Sequence, residues 1–260
     1  MEIVRASHGS PPPPPASGLS VGVGNFDGVH RGHQAVLGAA RAQAEASGLT
    51  FGALTFEPHP RAMFRPHDPP FRLSLEPLKL RRLEAFGVRR TIIAGFDTAF
   101  SQLTPEAFCR FIGEDLGVRR AVVGEDFCFG AGRAGDAATL AALGPRYGFE
   151  ATALAPVGGE VAFSSSRARA ALREGRPADA AFVLGEWHRI DGVVERGDQR
   201  GRELGFPTAN QSLDGVLHPL FGVYATRAEV LDGPHRGVYD AVSSLGLRPT
   251  FHKTIPNFET

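Results

Sequence analysis

"LSVGVGNFDGVHRGH" occupies residues 19–33. Its apolar opening predicts a short strand at Leu19–Val23. Gly24 and Gly28 allow tight turns and close backbone approach. From Gly32 the chain is rich in Ala, Gln and Leu, which predicts a helix over 32–46 that Gly48 stops. A second strand is expected at 50–56. Outward from this unit the alternation continues, with a helix at 76–86 ending at Gly87 and a strand at 91–96. Thr104-Pro105-Glu106 then gives a good helix start, Thr as N-cap and Pro first inside, for a helix running to residue 116. A strand at 121–123, a helix at 137–143 and a strand at 150–154 complete the series. Such alternation predicts a parallel sheet with helices on both faces. Ligands of these sheets sit at the carboxyl ends of the strands. "GNFDGVHRGH" (24–33), "TFEPHP" (55–60) and "VGEDFCFG" (123–130) each follow a strand, so all three are expected on one rim.

Beyond residue 185 the pattern changes. "WHRIDGVVERG" (187–197), "LFGVYATRAEV" (220–230) and "GVYDAVSSLG" (237–246) are β-rich and glycine-punctuated, which predicts a second, all-β domain, a small barrel. Two short helices at 168–174 and 178–184 connect the halves. The prolines at 11–15 predict a stiff, extended surface segment.

Composition sets limits. A chain of 260 residues is comfortable for two domains, and 42% hydrophobic residues suffice for real cores. Twenty-eight Lys and Arg balance 28 Asp and Glu, so no global field draws the protein to nucleic acid or a membrane surface, and any anion site must be local. Two cysteines, Cys109 and Cys128, form no disulfide framework and point to a reducing, intracellular compartment. There is no signal-peptide pattern, and no segment approaches about 18 uninterrupted apolar residues.

His30 and His33 lie three apart and share a face of the first helical turn. A helix start offers N–H groups and a positive dipole end. Two imidazoles there can donate to phosphate oxygens and stabilise charge growing on pentavalent phosphorus. Two other readings stand beside this one: a helix N-terminus with ordinary solvated histidines, and a zinc site with His59 as third ligand. The loop is not a P-loop, because the Gly-Lys-Ser/Thr ending is absent.

"GNFDGVHRGHQ" resembles the N-terminal signature of the bacterial bifunctional riboflavin kinase/FAD synthetases, within the wider HxGH nucleotidylyltransferase superfamily. Further segments match in order. "TFEPHPRAMF" (55–64) resembles the flavin-site segment, "VGEDFCFGAGRAGD" (123–136) the G-x-D/N-F-x-F-G loop, and "FSSSRAR" (163–169) the I-S-S-T-R-I-R motif. "GRELGFPTAN" (201–210) resembles the kinase phosphate-binding motif, with "FGVYA" and "LGLRPTF" matching later kinase segments. The resemblance covers the chain from residue 19 onward. It implies a Rossmann-like nucleotidylyltransferase domain at 19–184, a riboflavin-kinase-type barrel, incomplete at its C-terminus, at 185–260, and a flexible proline-rich segment at 1–18.

The implied adenylylation joins FMN to ATP, giving FAD and pyrophosphate. The attacking FMN phosphate is already anionic, so the reaction needs alignment and charge stabilisation rather than a base. By resemblance His30 and His33 donate to the ATP phosphates. Gly24, Asn25, Phe26, Asp27 and Gly32 shape the nucleotide loop. Ser165, Ser166 and Arg167 grip the β/γ end, where plain helix capping is the alternative. Phe56, Pro58, Pro60 and Phe64, facing Asp126 and Phe127, would take the isoalloxazine ring; otherwise they form a loop packed on its own domain. Glu125 and Cys128 are less usual for the family at their positions, and Arg133 either is solvated or meets the flavin phosphate.

The kinase half implies Thr208 and Asn210 as ligands of Mg²⁺ and ATP, with Gly201 and Gly205 in the same bend. Two residues apart in extended chain, Thr208 and Asn210 point to one side, although Pro-Thr-x-Asn alone is also a common turn. Glu259 is the implied base for the ribityl hydroxyl, and otherwise a solvated strand carboxylate. The family continues past the position of Thr260, so the alternative to a bifunctional enzyme is an FMN adenylyltransferase with an inactive kinase module. A non-catalytic flavin- or nucleotide-binding regulator is a third reading. An HxGH transferase acting on a cytidyl or pantetheine substrate would lack the "GFPTAN" to "RPTF" block. Small-molecule partners, no nucleic acid, no membrane, room for weak self-association and a cytoplasmic location complete the expectation.

Overall fold

The computed structural model describes residues 1–7, 9–159, 161–195, 208–248 and 253–260, in two compact units. The first comprises Met1–Asp68, Leu75–Ser165 and Val183–Gly185. In chain order it contains β1 (Glu2–Ala6), β2 (Leu19–Val23), α1 (Arg31–Ser47), β3 (Thr50–Glu57), α2 (Pro60–Phe64), α3 (Glu76–Ala85), β4 (Arg90–Gly95), α4 (Thr98–Ser101) and α5 (Pro105–Arg110). There follow β5 (Val118–Gly124), β6 (Cys128–Phe129), β7 (Gly135–Asp136), α6 (Ala137–Leu143) and β8 (Glu150–Leu154). The main sheet has six strands in the order β1-β4-β3-β2-β5-β8, and every neighbouring pair is parallel.

Burial explains the strand pattern. All five residues of β2 are buried, as a parallel strand covered on both faces requires. Alternate residues feed two cores. Val21, Val23, Leu54, Phe56 and Val123 join a cluster with Phe100, Phe108 and Phe111. Ala53 and Val122 join a second cluster with Val36, Leu37 and Ala40 of α1.

Three features depart from the expectation. Residues 2–6, read as part of a flexible segment, add β1 as an edge strand on β4. The following proline tract is tied across the amino ends of the strands. Arg90 donates to the Pro13 carbonyl at 2.7 Å, and a Cβ on Gly117 would stand 2.5 Å from Pro14. The helix expected to run from 105 to 116 widens into a π-turn at Phe111–Asp115. There a Cβ on Gly113 would meet the Tyr147 carbonyl at 2.1 Å, so only glycine fits.

The second unit comprises Pro69–Ser74, Ser166–Phe182 and Glu186–Thr260. Most of α7 (Ser165–Arg173) and of α8 (Pro177–Leu184) belongs to it, followed by β9 (Val194–Glu195), β10 (Asn210–Gln211), β11 (Gly222–Val230), β12 (Gly237–Arg248) and β13 (Lys253–Glu259). The strands form an antiparallel sheet in the order β11-β12-β13-β10-β9. Within this unit Arg169 donates to the Phe71 carbonyl at 2.8 Å, and the Leu217 amide to that of Arg72 at 2.8 Å.

Candidate active sites

The chain leaves β2 for β3 on one side of the sheet, while β5 pairs with β2 on the other. The loop after β2 therefore opens at the topological switch point, where doubly wound sheets bind ligands. Here lie Gly24 to His30, and every carbonyl from Asn25 to His30 is tied inward. Asn25 O accepts from Thr55 Oγ1 at 3.2 Å and Lys79 Nζ at 3.4 Å. Phe26 O accepts from the Val29 amide, Asp27 O from Ser165 Oγ at 2.9 Å and Gly28 O from Arg82 Nη1 at 3.1 Å. Val29 O takes Gln34 Nε2 at 2.9 Å, and His30 O takes the Gln34 amide. Oxygens that would repel an anion are thus committed to protein donors.

The backbone itself is strained. Phe26 and Val29 hold φ of +50° and +42°, which costs roughly 1–3 kcal/mol each for residues other than glycine. The result is a fixed helix start. His30 is the N-cap of α1, its Nδ1 accepting from the His33 amide at 3.3 Å. A neutral His30 then carries its proton on Nε2. The two imidazoles stack with centroids 3.6 Å apart, and Phe26 supports His33 edge-on at 5.2 Å. A Cβ on Gly32 would press on the Phe163 carbonyl at 2.9 Å and the His30 ring at 3.0 Å.

These observations correct several sequence readings. His30 is buried, not an ordinary solvated residue. Phe26 is fully buried, so its ring is core, and Asp27 is buried too. Ser165 donates its hydroxyl proton to the Asp27 carbonyl of the loop. His59 caps α2, accepting from the Arg61 amide at 3.1 Å. Among the described residues no three His, Cys, Asp or Glu stand together as metal ligands, so the zinc reading finds no set.

The expected flavin residues divide. Phe56 is buried in the core. Phe64 is 61% exposed and meets Phe96 edge-on at 5.9 Å. Phe96 leads through Phe56 and Phe100 to Phe108, which meets Phe127 at 6.4 Å. Pro58 and Asp126 are exposed on the same rim, Pro60 begins α2, and Glu125 and Arg133 are exposed. Phe96, Phe100 and Phe108 complete this aromatic run, yet only tertiary structure links them to it. Cys109 lies in the core, where burial pushes its thiol up to about 12.

In the second unit Asn210 of β10 lies opposite Glu259 of β13, and Glu259 opposite Ser244 of β12. Opposed residues of antiparallel strands share a face. Thr208 is exposed two residues before the buried Asn210, and the intervening Ala209 exchanges backbone hydrogen bonds with Thr260 at 2.8 and 2.9 Å. Arg167, also in this unit, stands 5.9 Å from the Phe182 ring centroid, and Ser166 begins the unit's share of α7. Gly201, Gly205 and most of the "RPTF" segment fall outside the described residues.

The FAD synthetase family model matches residues 13–168, and the riboflavin kinase model matches 184–260. The chain is 38% identical over 252 residues to the bifunctional riboflavin kinase/FMN adenylyltransferase of Escherichia coli, covering 96% of this chain and 79% of the relative. This chain belongs to the bifunctional riboflavin kinase/FMN adenylyltransferase family. The Bacillus subtilis member is 36% identical over 237 residues, 90% of this chain and 73% of its own length. A crystal structure of a macrolide-efflux protein from Streptococcus pneumoniae superposes with TM-score 0.85 at 28% identity, covering 100% of this chain and 84% of that one. Among the described residues no helix is long and apolar enough to cross a membrane. Membership in the bifunctional family accounts for both sheets of this chain, parallel and antiparallel.

Proposed function

We propose that the protein makes FMN from riboflavin and ATP, and FAD from FMN and ATP, with 19–184 carrying the adenylylation and 185–260 the phosphorylation. The observation that carries the first half is the loop at the switch point, with its carbonyls tied back and two stacked imidazoles at its helix start. Backbone amides of Asn25, Asp27 and Gly32, with His30 and His33, receive the triphosphate, and Gly24, whose own amide donates to the Leu54 carbonyl at 3.0 Å, starts the turn that presents them. The Ser166 hydroxyl and the Arg167 guanidinium are groups of the kind that bind phosphate oxygens. The FMN phosphate attacks in line, and the imidazoles stabilise charge as it spreads over the phosphate oxygens. Phe64, Phe96 and Phe127, with Pro58, Pro60 and Asp126, form the flavin wall.

For phosphorylation, Glu259 takes the proton of the ribityl hydroxyl on its carboxylate as that oxygen attacks the γ-phosphorus, whose bond to the bridging oxygen breaks and releases ADP. Its place opposite Asn210 supports this role. Thr208 and Asn210 offer hard oxygen donors of the kind Mg²⁺ accepts beside phosphates; bound there, the ion would neutralise phosphate charge. The substrates are small molecules, so the reading requires neither nucleic acid nor a membrane.

The test is to supply Mg²⁺-ATP with riboflavin or with FMN and separate the products by chromatography. FMN from the first and FAD from the second are expected, and chelation should abolish both. Failure to form either would overturn the reading; FAD without FMN would restrict it to adenylylation.

A further inference from the structure

Helix α3 presents two buried cations one turn apart. Lys79 is 0% exposed, and its Nζ donates to Glu57 Oε1 at 2.6 Å, Thr55 Oγ1 at 3.0 Å and Asn25 O at 3.4 Å. Arg82 is buried and donates from Nη1 to Gly28 O at 3.1 Å. Residues three apart on a helix share a face, so both reach the same loop. Burying charge on a core helix is costly, and well-packed apolar residues of similar volume commonly serve stability as well or better. Stability alone therefore does not explain two cations here.

The carbonyls they hold suggest another reason. Asn25 O belongs to the peptide immediately before Phe26, and Gly28 O to the peptide immediately before Val29. Those are the two non-glycine residues of this loop with positive φ. Strained conformations persist only where the surroundings over-determine them. Each cation fixes the peptide plane leading into one strained residue. Val29 in turn precedes His30, whose ring caps α1 and stacks on His33.

We propose that Lys79 and Arg82 are positioning residues for adenylyl transfer, which hold the 25–26 and 28–29 peptides so that His30 and His33 meet the triphosphate. Glu57 balances the Lys79 charge. The inference rests on the adenylylation assigned above to this loop.

The experiment uses the full chain with Lys79→Met, Lys79→Met/Glu57→Gln, Arg82→Met and Arg82→Lys. It follows both half-reactions, thermal melting and the imidazole proton signals of His30 and His33 by NMR. Lys79→Met takes from the part-buried Glu57 carboxylate its Lys79 ion pair and is expected to melt early, whereas the double variant removes the pair and recovers most of that loss. Even so, the double variant and Arg82→Met should lose about tenfold or more in kcat/KM for ATP during FAD formation. Their FMN formation from riboflavin should stay within about twofold of the native rate. The two imidazole signals should shift in both, and less in Arg82→Lys.

Native melting, native FAD formation and unmoved imidazole signals in the double variant and in Arg82→Met would overturn the proposal, as would parallel loss of both activities. Should the native protein make no FAD, the functional reading falls instead, and the imidazole signals still decide whether these cations position the loop.

Discussion

The two sheets carry their chemistry in different places. Every residue of β2 is buried, and helices cover both faces of the parallel sheet. Its strands have no surface to offer a substrate, so the groups proposed for adenylylation hang from the loops beyond their carboxyl ends. The antiparallel sheet exposes one side: Val223 is 72% exposed and Val242 68%. Such a sheet can carry chemistry within its strands, and Asn210 and Glu259 are strand residues in register. A buried sheet thus separates stability from catalysis by position along the strand, whereas a half-exposed one separates them by face.

The sharpest way to break this comparison is to disable each site alone. His30→Ala/His33→Ala should cut FAD formation by about 10²- to 10³-fold, the scale of lost charge-stabilising donors, and leave FMN formation intact. Glu259→Gln should do the converse, cutting FMN formation by about 10²- to 10⁴-fold, as for loss of a general base. Product chromatography reads both. If either variant lost both activities, the sites would not be separable as described.

A second test concerns packing. Gly113→Ala pushes a Cβ to 2.1 Å from the Tyr147 carbonyl, and overpacking of this kind should cost about 1–3 kcal/mol or more. Val223→Thr on the open strand β11 should change stability by no more than about 0.5 kcal/mol. Denaturant melts compare the two. Equal costs would mean that the two sheets tolerate change alike, against the burial contrast.

The same contrast governs what the sequence disclosed. Strands and helices around 19–56 were legible because a buried parallel strand is an uninterrupted apolar run and glycine marks the helix end. Strand β1 was not, since five residues ahead of a proline tract carry no periodicity that betrays a partner 88 residues away. His30 and His33 could be nominated by spacing, but the cap and the stack require coordinates. Nothing in the sequence marks Lys79 and Arg82 within the 76–86 helix, and only burial singles them out. The inward turn of the Phe26 and Phe56 rings was likewise hidden, because proximity to the motif in sequence carries no sign of burial.

The smallest effect divides rim from core within the parallel-sheet unit, and its two cysteines report on it. Cys109 is fully buried, and desolvation, the larger cause, with the negative charge of Glu106, raises its thiol to about 12. Below that pH it remains protonated, and the thiol form is a poor nucleophile. Cys128 is half-buried on the rim beside Phe127 and Phe129. A thiol reagent should therefore modify one cysteine in the native protein, at Cys128. Raising the pH from 7 to 9 should not recruit Cys109, which should react only after denaturation. Because the loop carrying Cys128 also carries Phe127 of the proposed flavin wall, saturating FMN should slow that single modification about two- to fivefold while leaving Cys109 unaffected. Mass spectrometry locates the label. Modification of Cys109 in the folded protein would show that the aromatic core opens; an FMN-insensitive rate at Cys128 would place the flavin elsewhere on the rim.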